Sequence, residues 1–444
     1  MARADVVVVG AGLAGLSAAV GLAEAGARVE VLATGHAATH WAPGGLDVAA
    51  VPGTETPAAG LRLLAARPQH PYALLASHVA PALAWLRGVV AGSGLVYVGD
   101  LDAPIRPVPT SVGRTRPAAI LPEGQAAALA PWAPDERLLI CGPLGFKDFW
   151  PEAVAAGLRR PEAWPGTAGP ARVDAVTFEP PGFRGTRNHN ALDLARAFDD
   201  ASWREAALVA IARAVSAAGP GPGRVALPAC LGLADHPAVL EAARATLPLE
   251  PFEVPLVPPS LPGLRLYRAL REALRRAGGR LQIGEAVQRV DVEAGRVVRV
   301  AVPAAARQHL VATGALVLAT GGIAGGGLLA TMDGRLEETV LGLPVEAPDA
   351  DAWLAQDPLD PQGHPLEAAG VRTDGQLRPV DPTGASGGAA LYENVHVVGS
   401  LLAGQRYLRE RCGDGVALAS GHLAAELLGS GRATGRQSLA EARR

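Results

Sequence analysis

A glycine-rich turn close to the start of the chain has the residue types and the spacing needed to hold a pyrophosphate. Its first glycine permits a tight turn, its second lets backbone approach a phosphate, and its third lets a helix pack closely on a strand. Free amide groups and the positive end of the helix dipole would then face the phosphates. This pattern predicts dinucleotide binding, with a structural packing turn as the alternative. The predicted contacts are Gly10, Ala11, Gly12, Leu13, Ala14 and Gly15.

The elements around this turn form a βαβ unit. Residues 4–9 are rich in β-branched side chains, as expected of a strand buried on both faces of a parallel sheet. A small-residue helix is predicted from Leu13 to Glu24, where Gly26 ends it, and a second strand from Arg28 to Leu32. Strand, turn, helix and strand in this order are typical of nucleotide-binding folds.

An acidic residue usually follows the second strand and binds a ribose hydroxyl, but it is absent here. Ala33, Thr34 and Gly35 stand at this position. In one interpretation, Thr34 and backbone groups make the ribose contact. In the other, the adenosine half is held weakly or is absent, which favours FMN. We expect FAD, because the complete glycine motif offers amide donors for a bridging pyrophosphate.

Composition excludes several classes of protein. The chain has 444 residues, 49% of them hydrophobic, and a formal net charge of -3, so no basic excess is present to bind nucleic acid or an anionic membrane. Its three cysteines, Cys141, Cys230 and Cys412, lack metal-ligand spacing. We predict no metal site, small buried cysteines rather than redox thiols, and a cytoplasmic location.

Glycines interrupt the apolar N-terminus, which argues against a signal peptide, and no transmembrane segment is predicted.

The remaining pattern predicts a split domain with an insertion. Residues 1–102 and 263–434 are assigned to a nucleotide-binding domain, residues 103–262 to an inserted, proline-rich cap or substrate domain, and residues 435–444 to a C-terminal tail. In the second part we predict an amphipathic helix over 264–277, a hairpin over 286–302 and a small-residue helix over 413–428. Buried strands are predicted over 310–319 and 395–398. The predicted fold class is α/β, with a Rossmann-like parallel sheet, a β-meander and an α+β insertion.

Ordered motifs along nearly the whole chain resemble the B subunit of anaerobic glycerol-3-phosphate dehydrogenase, within the fumarate-reductase-like flavoproteins. Besides the glycine turn, the matching segments are residues 45–47 (GLD), 70–72 (HPY), 145–149 (GFKDF), 193–200 (DLARAFDD), 227–235 (LPACLGLAD), 258–260 (PPS), 319–327 (ATGGIAGGG), 339–344 (TVLGLP), 398–400 (VGS) and 412–416 (CGDGV).

The resemblance implies a flavin subunit that oxidises sn-glycerol 3-phosphate to dihydroxyacetone phosphate, or relays its electrons, toward a quinone. It also implies a second flavoprotein subunit and an iron-sulfur subunit as partners, peripheral at the inner face of the cell membrane. Two alternatives stay open. One is an independent fumarate-reductase-like oxidoreductase that acts on a small organic acid or alcohol, and the other is a scaffold that has lost its flavin.

Further flavin contacts follow from the same resemblance. Small residues at strand ends admit a flat cofactor close to the backbone, and the amides before the last helix offer donors for the pyrimidine end of the flavin. The predicted residues are Thr34, Gly35, Gly44, Gly45, Val287, Thr320, Gly321, Gly322, Gly399, Ser400, Gly413, Asp414, Gly415 and Val416.

Catalysis requires a base near the substrate hydroxyl and a cationic anchor for the phosphate. The candidates are His40, the sole lysine Lys147, His189 within the segment 187–189, and Arg411. In related enzymes a substrate-binding arginine lies close to the position of Arg411. Each candidate has a structural alternative: the histidines could serve packing alone, and the segment 406–411 could be a solvated loop in which arginines pair with Glu410.

Overall fold

A computed structural model describes residues 2–183, 189–284, 286–304, 307–360, 362–384 and 388–441. The chain divides into two compact units. Unit 1 comprises residues 1–39, 47–89 and 267–444, and unit 2 comprises residues 40–46 and 90–266. Unit 2 is therefore inserted into unit 1 along the sequence, at two places. Its main segment begins and ends within about a dozen residues of the bounds assigned from composition.

The α-helices of the described residues are α1 (Leu13–Glu24), α2 (Pro57–Ala65), α3 (Tyr72–Ala91), α4 (Pro151–Leu158), α5 (Ala191–Asp199), α6 (Ala201–Ala217), α7 (His236–Thr246), α8 (Leu261–Arg276), α9 (Tyr407–Glu410) and α10 (Gly413–Glu441). The strands are β1 (Ala2–Arg3), β2 (Val6–Val9), β3 (Val29–Ala33), β4 (Tyr97–Val98), β5 (Arg106–Pro109), β6 (Thr115–Ala118), β7 (Leu121–Pro122), β8 (Arg137–Pro143), β9 (Arg172–Phe178), β10 (Gly223–Pro228), β11 (Glu250–Val254), β12 (Arg280–Ile283), β13 (Arg289–Glu293), β14 (Arg296–Ala304), β15 (Arg307–Ala312), β16 (Ala315–Leu318), β17 (Leu328–Ala330), β18 (Leu336–Glu338) and β19 (Val395–Val397).

A five-stranded parallel sheet forms the centre of unit 1, in the order β12-β3-β2-β16-β19. Strands β2, β3, β16 and β19 are buried at every residue, as their continuous apolar sequences require in a sheet covered on both faces. Because all five strands are parallel, their carboxyl ends share one edge. Helix α1 connects β2 to β3, so the predicted βαβ unit is confirmed, with the predicted helix bounds.

A second sheet of unit 1 has the order β1-β15-β14-β13, and β13, β14 and β15 form the predicted antiparallel meander. The prediction of one buried strand over 310–319 is wrong. Thr313 and Gly314 interrupt it, so that β15 belongs to the meander and β16 to the central sheet. The hydroxyl of Thr313 accepts a hydrogen bond from the Val7 amide and donates to the carbonyl of Ala315, which fixes the change of sheet. An apolar run alone cannot reveal such a break.

The core of unit 2 is a four-stranded parallel sheet in the order β11-β10-β8-β9. Helices α4 to α7 lie between its strands along the chain, and two small antiparallel pairs, β4 with β7 and β5 with β6, accompany it. The predicted α/β class, with a Rossmann-like sheet, a meander and an inserted unit, is confirmed. The parallel order of the inserted sheet is a detail that the short, proline-interrupted strands did not indicate.

Two helices differ from the sequence-based expectation. Helix α3 is long and apolar enough, by length and composition, to cross a bilayer. Its buried residues Tyr72, Leu75, Val79 and Leu86 nevertheless recur every three to seven positions, as on the core-facing side of a water-soluble helix. The absence of a transmembrane segment therefore stays a prediction. Helix α10 continues to Glu441, through most of the stretch that was assigned to a C-terminal tail.

Candidate functional site

The glycine turn lies at the carboxyl end of β2, where α1 begins. Gly10 has a φ of 110°, and a Cβ there would lie 2.2 Å from the carbonyl oxygen of Ala319. A Cβ on Gly15 would lie 2.1 Å from the carbonyl oxygen of Gly10, so this glycine permits the close crossing of helix and strand. Both glycines are therefore required by the protein's own backbone, as the motif predicts.

Gly12 is different, because the protein itself does not require a glycine there. Its φ is -80°, and the nearest atoms to a Cβ would be the Ala37 Cβ at 3.3 Å and the Thr39 Oγ1 at 4.0 Å. Gly12 is also the N-cap of α1 and supplies no side-chain cap, and no acidic side chain occupies the first turn. A helix N-terminus whose N-cap residue has no side chain, with room beside that glycine, fits the pyrophosphate of a dinucleotide.

Thr39 supports this turn, although it was not singled out from the sequence. Its hydroxyl accepts a hydrogen bond from the Leu13 amide at 2.9 Å, and this satisfies one of the donors at the start of α1. The loop between β3 and Thr39 contains Thr34 and Gly35, and a Cβ on Gly35 would meet no atom within 4 Å. The backbone is therefore unobstructed at Gly35, where an acidic residue was expected, and its main-chain groups could contact a ligand directly.

Two other predicted segments meet the glycine turn at the same edge of the sheet. Thr320 to Gly322 follow β16, and Gly399 and Ser400 follow β19. The Gly322 amide donates to the Ser400 hydroxyl at 3.2 Å, while a Cβ on Gly399 would lie 2.9 Å from the Cβ of Ala14. The Thr320 hydroxyl is buried, with no hydrogen-bond partner among the described residues. A polar ligand group at this position would satisfy it.

Helix α10 begins beside these segments and is tied to them by Ser420. The Ser420 hydroxyl accepts from the Gly399 amide at 2.9 Å and donates to the Val416 carbonyl at 2.6 Å. It therefore links the start of α10 to the end of β19. Sequence reasoning missed Ser420, because one serine among the small residues of a helix gives no distinctive signal.

The amides at the start of α10 are engaged differently from the sequence-based expectation. Those of Asp414, Gly415 and Val416 were predicted to be donors for a flavin. The first two donate to the carbonyl oxygen of Asp47 at 3.1 Å, and the Val416 amide donates to the carbonyl oxygen of Cys412 at 2.9 Å. The Asp414 carboxylate in turn accepts from the Asp47 amide at 2.9 Å. The prediction of amides available to a flavin is therefore corrected at Asp414, Gly415 and Val416. Gly413 begins the helix, so the positive end of the α10 dipole lies where it was predicted.

The other predicted cofactor contacts lie in separate places. Val287 follows β12, which pairs with β3 in the central sheet of unit 1. It therefore comes after the edge of the sheet at which β3 also ends. Gly44 and Gly45 belong to unit 2, where a Cβ would lie 2.3 Å from Pro262 and 2.7 Å from Leu121, respectively. Packing within unit 2 therefore accounts for these two glycines, and their contact with a cofactor stays a prediction.

Three of the four catalytic candidates belong to unit 2. His40 lies in a short 3-10 helix, with its ring edge-on to Trp41 at 4.8 Å. Lys147 is exposed and its carbonyl accepts a hydrogen bond from the Trp150 indole, while the His189 ring lies 4.0 Å from Phe183. Arg187 and Asn188, named with His189, lie outside the described residues. The catalytic roles of these side chains stay predictions.

Arg411 belongs to unit 1, two residues before the first residue of α10. It adopts a left-handed conformation (φ 47°, ψ 49°), which is uncommon for a residue other than glycine. Its guanidinium lies 3.8 Å from the Asp47 carboxylate, and about a third of its side chain is exposed. Backbone outliers of this kind cluster at active sites and ligand clamps, and among the described residues Ala294 and Leu377 also have a positive φ.

The hypothesis that the arginines of segment 406–411 pair with Glu410 is wrong. The guanidinium groups of Arg406 and Arg409 donate to the carbonyl oxygens of Gln362 and Asp360. The Glu410 carboxylate instead accepts from the side chains of Arg67 and His70, far away in the sequence. The guanidinium groups of Arg406 and Arg409 therefore contact the backbone of residues 360 and 362 and not the Glu410 carboxylate.

Comparison with known proteins agrees with this geometry. A family model described as an FAD binding domain matches residues 5–416. The B subunit of anaerobic glycerol-3-phosphate dehydrogenase from Yersinia pestis bv. Antiqua is 32% identical, over 95% of this chain and 97% of that protein. A probable B subunit from Halobacterium salinarum is also 32% identical with the same coverage, and one from Pectobacterium carotovorum is 30% identical over 97% and 99%. This chain belongs to the family of anaerobic glycerol-3-phosphate dehydrogenase B subunits.

The matching family model also supports the predicted cofactor. The FAD binding domain spans the glycine turn, the segment 320–322 and the start of α10. FAD is therefore the cofactor of this flavoprotein, as predicted from the complete glycine motif. The contacts of individual residues with FAD remain predictions.

Solved structures are more distant. A 3-ketosteroid Δ1-dehydrogenase from Sterolibacterium denitrificans has a TM-score of 0.46 and 11% identity, covering 97% of this chain and all of that chain. E. coli quinol fumarate reductase has a TM-score of 0.43 and 12% identity, covering 98% of this chain and 72% of that chain. Similarity at this level carries no argument about function.

Proposed function

We propose that this chain is the FAD-containing subunit that oxidises sn-glycerol 3-phosphate to dihydroxyacetone phosphate within a quinone-linked, multi-subunit dehydrogenase. The observation that carries the proposal is the similarity to the B subunits over nearly the full length of both chains. The opening beside Gly12 and the placement of Arg411 at the start of α10 support it. In the alternative form of the proposal, the chain relays electrons from a partner's flavin.

The reaction removes two hydrogens from the substrate. The C2–H bond breaks with transfer of a hydride, the hydroxyl loses its proton to a base, and a C=O bond forms. Bound FAD supplies the hydride acceptor. In our proposal the Arg411 guanidinium binds the substrate phosphate, as a planar cation suits that group. His40 and His189 are the candidate proton acceptors, and Lys147 is a further candidate for phosphate binding.

The family name implies other subunits, because a B subunit is one part of a larger enzyme. We propose that these partners are a second flavoprotein subunit and an iron-sulfur subunit. The complex would lie at the inner face of the cell membrane and would be held there by a partner. The three cysteines are all buried, and burial raises the pKa of Cys141 to about 12, so these thiols are poor candidates for cluster ligands on this chain.

Anaerobic reduction of the purified, FAD-loaded chain tests the proposal directly. We expect sn-glycerol 3-phosphate to bleach the flavin absorbance without any partner, and glycerol, which lacks the phosphate, to have no comparable effect. Bleaching that occurs only after the partner subunits are added would exclude oxidation on this chain and support the relay. No bleaching even in the assembled complex would contradict both forms of the proposal.

Replacing Arg411 by alanine is expected to weaken substrate binding. Loss of a charge-assisted pair with the phosphate should raise the Kd of sn-glycerol 3-phosphate about ten- to a hundredfold, with FAD content unchanged. Anaerobic isothermal titration calorimetry on the chain with its FAD already reduced measures this constant without heat from substrate oxidation. Leu408→Ala is the matched control, since this side chain is 58% exposed on the preceding helix. An unchanged Kd would remove Arg411 from the proposed site.

A further inference from the structure

The residue before Arg411 is Glu410, and its buried carboxylate accepts several hydrogen bonds. One oxygen of Glu410 accepts from Arg67 at 2.9 Å. The other accepts from the His70 Nε2 at 3.2 Å and the Arg406 amide at 2.7 Å, with the Cys412 thiol at 3.7 Å. Burial opposes the charge of Glu410, but these hydrogen bonds and the charge of Arg67 outweigh it and lower the pKa of the carboxyl. Glu410 therefore remains an anion with every contact made by a donor.

His70 is held in one tautomer by the backbone. The amide of Tyr72 donates to the His70 Nδ1 at 3.0 Å, so this nitrogen carries the lone pair, and Nε2 carries the proton of the neutral ring. The Nε2–H group is therefore a donor to Glu410. The side chain is 1% exposed, so bulk solvent does not compete for this hydrogen bond.

The tautomer also decides between two interpretations of the cluster. Ligand atoms of His70, Glu410 and Cys412 lie within 4.8 Å of one another, close enough to surround a metal ion. A histidine that binds metal through Nε2 normally donates its Nδ1–H to an acceptor, whereas here Nδ1 faces a backbone donor. Burial further raises the pKa of the Cys412 thiol, which opposes the thiolate that a metal would need. The cluster is therefore a hydrogen-bonded support rather than a metal site.

The residues on both sides of Arg411 are fixed by this support. Glu410 is held through its side chain, and the Tyr72 hydroxyl, which shares its proton with the Val48 carbonyl, lies 3.3 Å from the Cys412 carbonyl oxygen. The Arg411 carbonyl itself accepts from the Ala50 amide at 3.4 Å. Three anchors on consecutive residues restrain the backbone in a left-handed turn that a non-glycine residue otherwise avoids.

We propose that Glu410 and His70 are positioning residues that hold Arg411 in its left-handed conformation and so aim its guanidinium at the substrate phosphate. The proposal rests on the proposed function, since Arg411 is there the phosphate anchor. Glu410 and His70 themselves do not touch substrate; they act through the backbone of Arg411. Their effect should therefore disappear when the guanidinium is removed.

A double-mutant cycle on the FAD-loaded chain tests this dependence, with the Kd of sn-glycerol 3-phosphate as the readout. In Glu410→Gln, either orientation of the side-chain amide places its NH₂ group against a hydrogen-bond donor that contacts Glu410 in the wild type. We expect this variant to raise the Kd about tenfold. In the Arg411→Ala background the same change should have no further effect. Additive losses would overturn the positioning role while leaving Arg411 as the phosphate anchor.

A second variant covers the case in which Glu410→Gln does not fold. Arg67→Ala removes one anchor of Glu410 from a side chain that is 51% exposed, so folding should persist. We expect a Kd raised about twofold in the wild-type background and unchanged in the Arg411→Ala background. A loss in both backgrounds would overturn the inference. If Arg411→Ala alone left the Kd unchanged, both the phosphate anchor of the proposed function and this inference would fail.

Discussion

Replacing Gly12 by valine is expected to give a folded chain that no longer retains FAD. A Cβ at this position meets only the Ala37 Cβ at 3.3 Å and the Thr39 Oγ1 at 4.0 Å, and φ is -80°, so the backbone accepts a side chain with a small adjustment. The branched side chain would instead occupy the space at the N-terminus of α1, where the pyrophosphate must approach the backbone. Flavin absorbance per chain after gel filtration, with circular dichroism for the fold, measures the effect.

Gly10→Ala is the contrasting variant in the same turn. Its Cβ would lie 2.2 Å from the Ala319 carbonyl oxygen, at a φ of 110° that alanine rarely adopts, so we expect a loss of folded protein rather than of FAD alone. The two variants together separate the glycine that faces ligand from the glycine that packs against protein. A Gly12→Val chain with a full complement of FAD would show that the phosphates lie elsewhere.

Replacing Glu253 by glutamine is expected to destabilise unit 2 strongly. The Glu253 carboxylate is fully buried and forms two hydrogen bonds with Arg265, at 2.6 and 3.0 Å, and accepts one from the Leu231 amide. Burial opposes this charge, but Arg265 and His236 outweigh it and lower the pKa of Glu253. The substitution leaves the Arg265 guanidinium, whose side chain is 6% exposed, without its counter-charge. We expect a loss of about 3–5 kcal/mol.

Amide hydrogen exchange measures this effect locally, which matters because a chain of two units need not unfold in one step. We expect faster exchange in β10 and β11 and little change in the central sheet of unit 1. Glu250→Gln on the same strand is the matched control: Glu250 is 50% exposed and pairs with Arg244, so its loss should cost less than about 1 kcal/mol. Equal protection in the two variants would contradict a structural role for the buried pair.

The sequence was most informative where local pattern decides the structure. The bounds of α1 follow from the glycine turn and from the small residues after it, and the strands on either side follow from continuous apolar runs. The same reasoning failed at residues 310–319, because an apolar run does not show that Thr313 turns the chain from one sheet into another. The spacing of apolar residues shows which residues are buried, but it does not show to which sheet they belong.

The glycines of the candidate site were predicted from the sequence, but the residues that hold the site in place were not. The motifs at the ends of β2, β16 and β19 were identified because glycine and serine cluster there. Thr39, Ser420 and the partners of Glu410 were missed, since each acts across a separation in sequence that local pattern does not span; His70 and Glu410, for example, are 340 residues apart. One sequence carries no signal for such pairs. Their recognition required the fold.

Strand β2 lies between β3 and β16, and this order has a consequence for biosynthesis. Val6 of β2 pairs with Val29 of β3 on one side and with Ala315 of β16 on the other. Strand β2 is translated early, but its pairing with β16 cannot form until residue 315 has been synthesised. Until then its unpaired edge is exposed, and such edges promote aggregation. We expect chains that end before residue 315 to be insoluble or bound to chaperones. Late closure of this sheet is therefore expected to be the step at which the nascent protein first becomes able to retain its flavin.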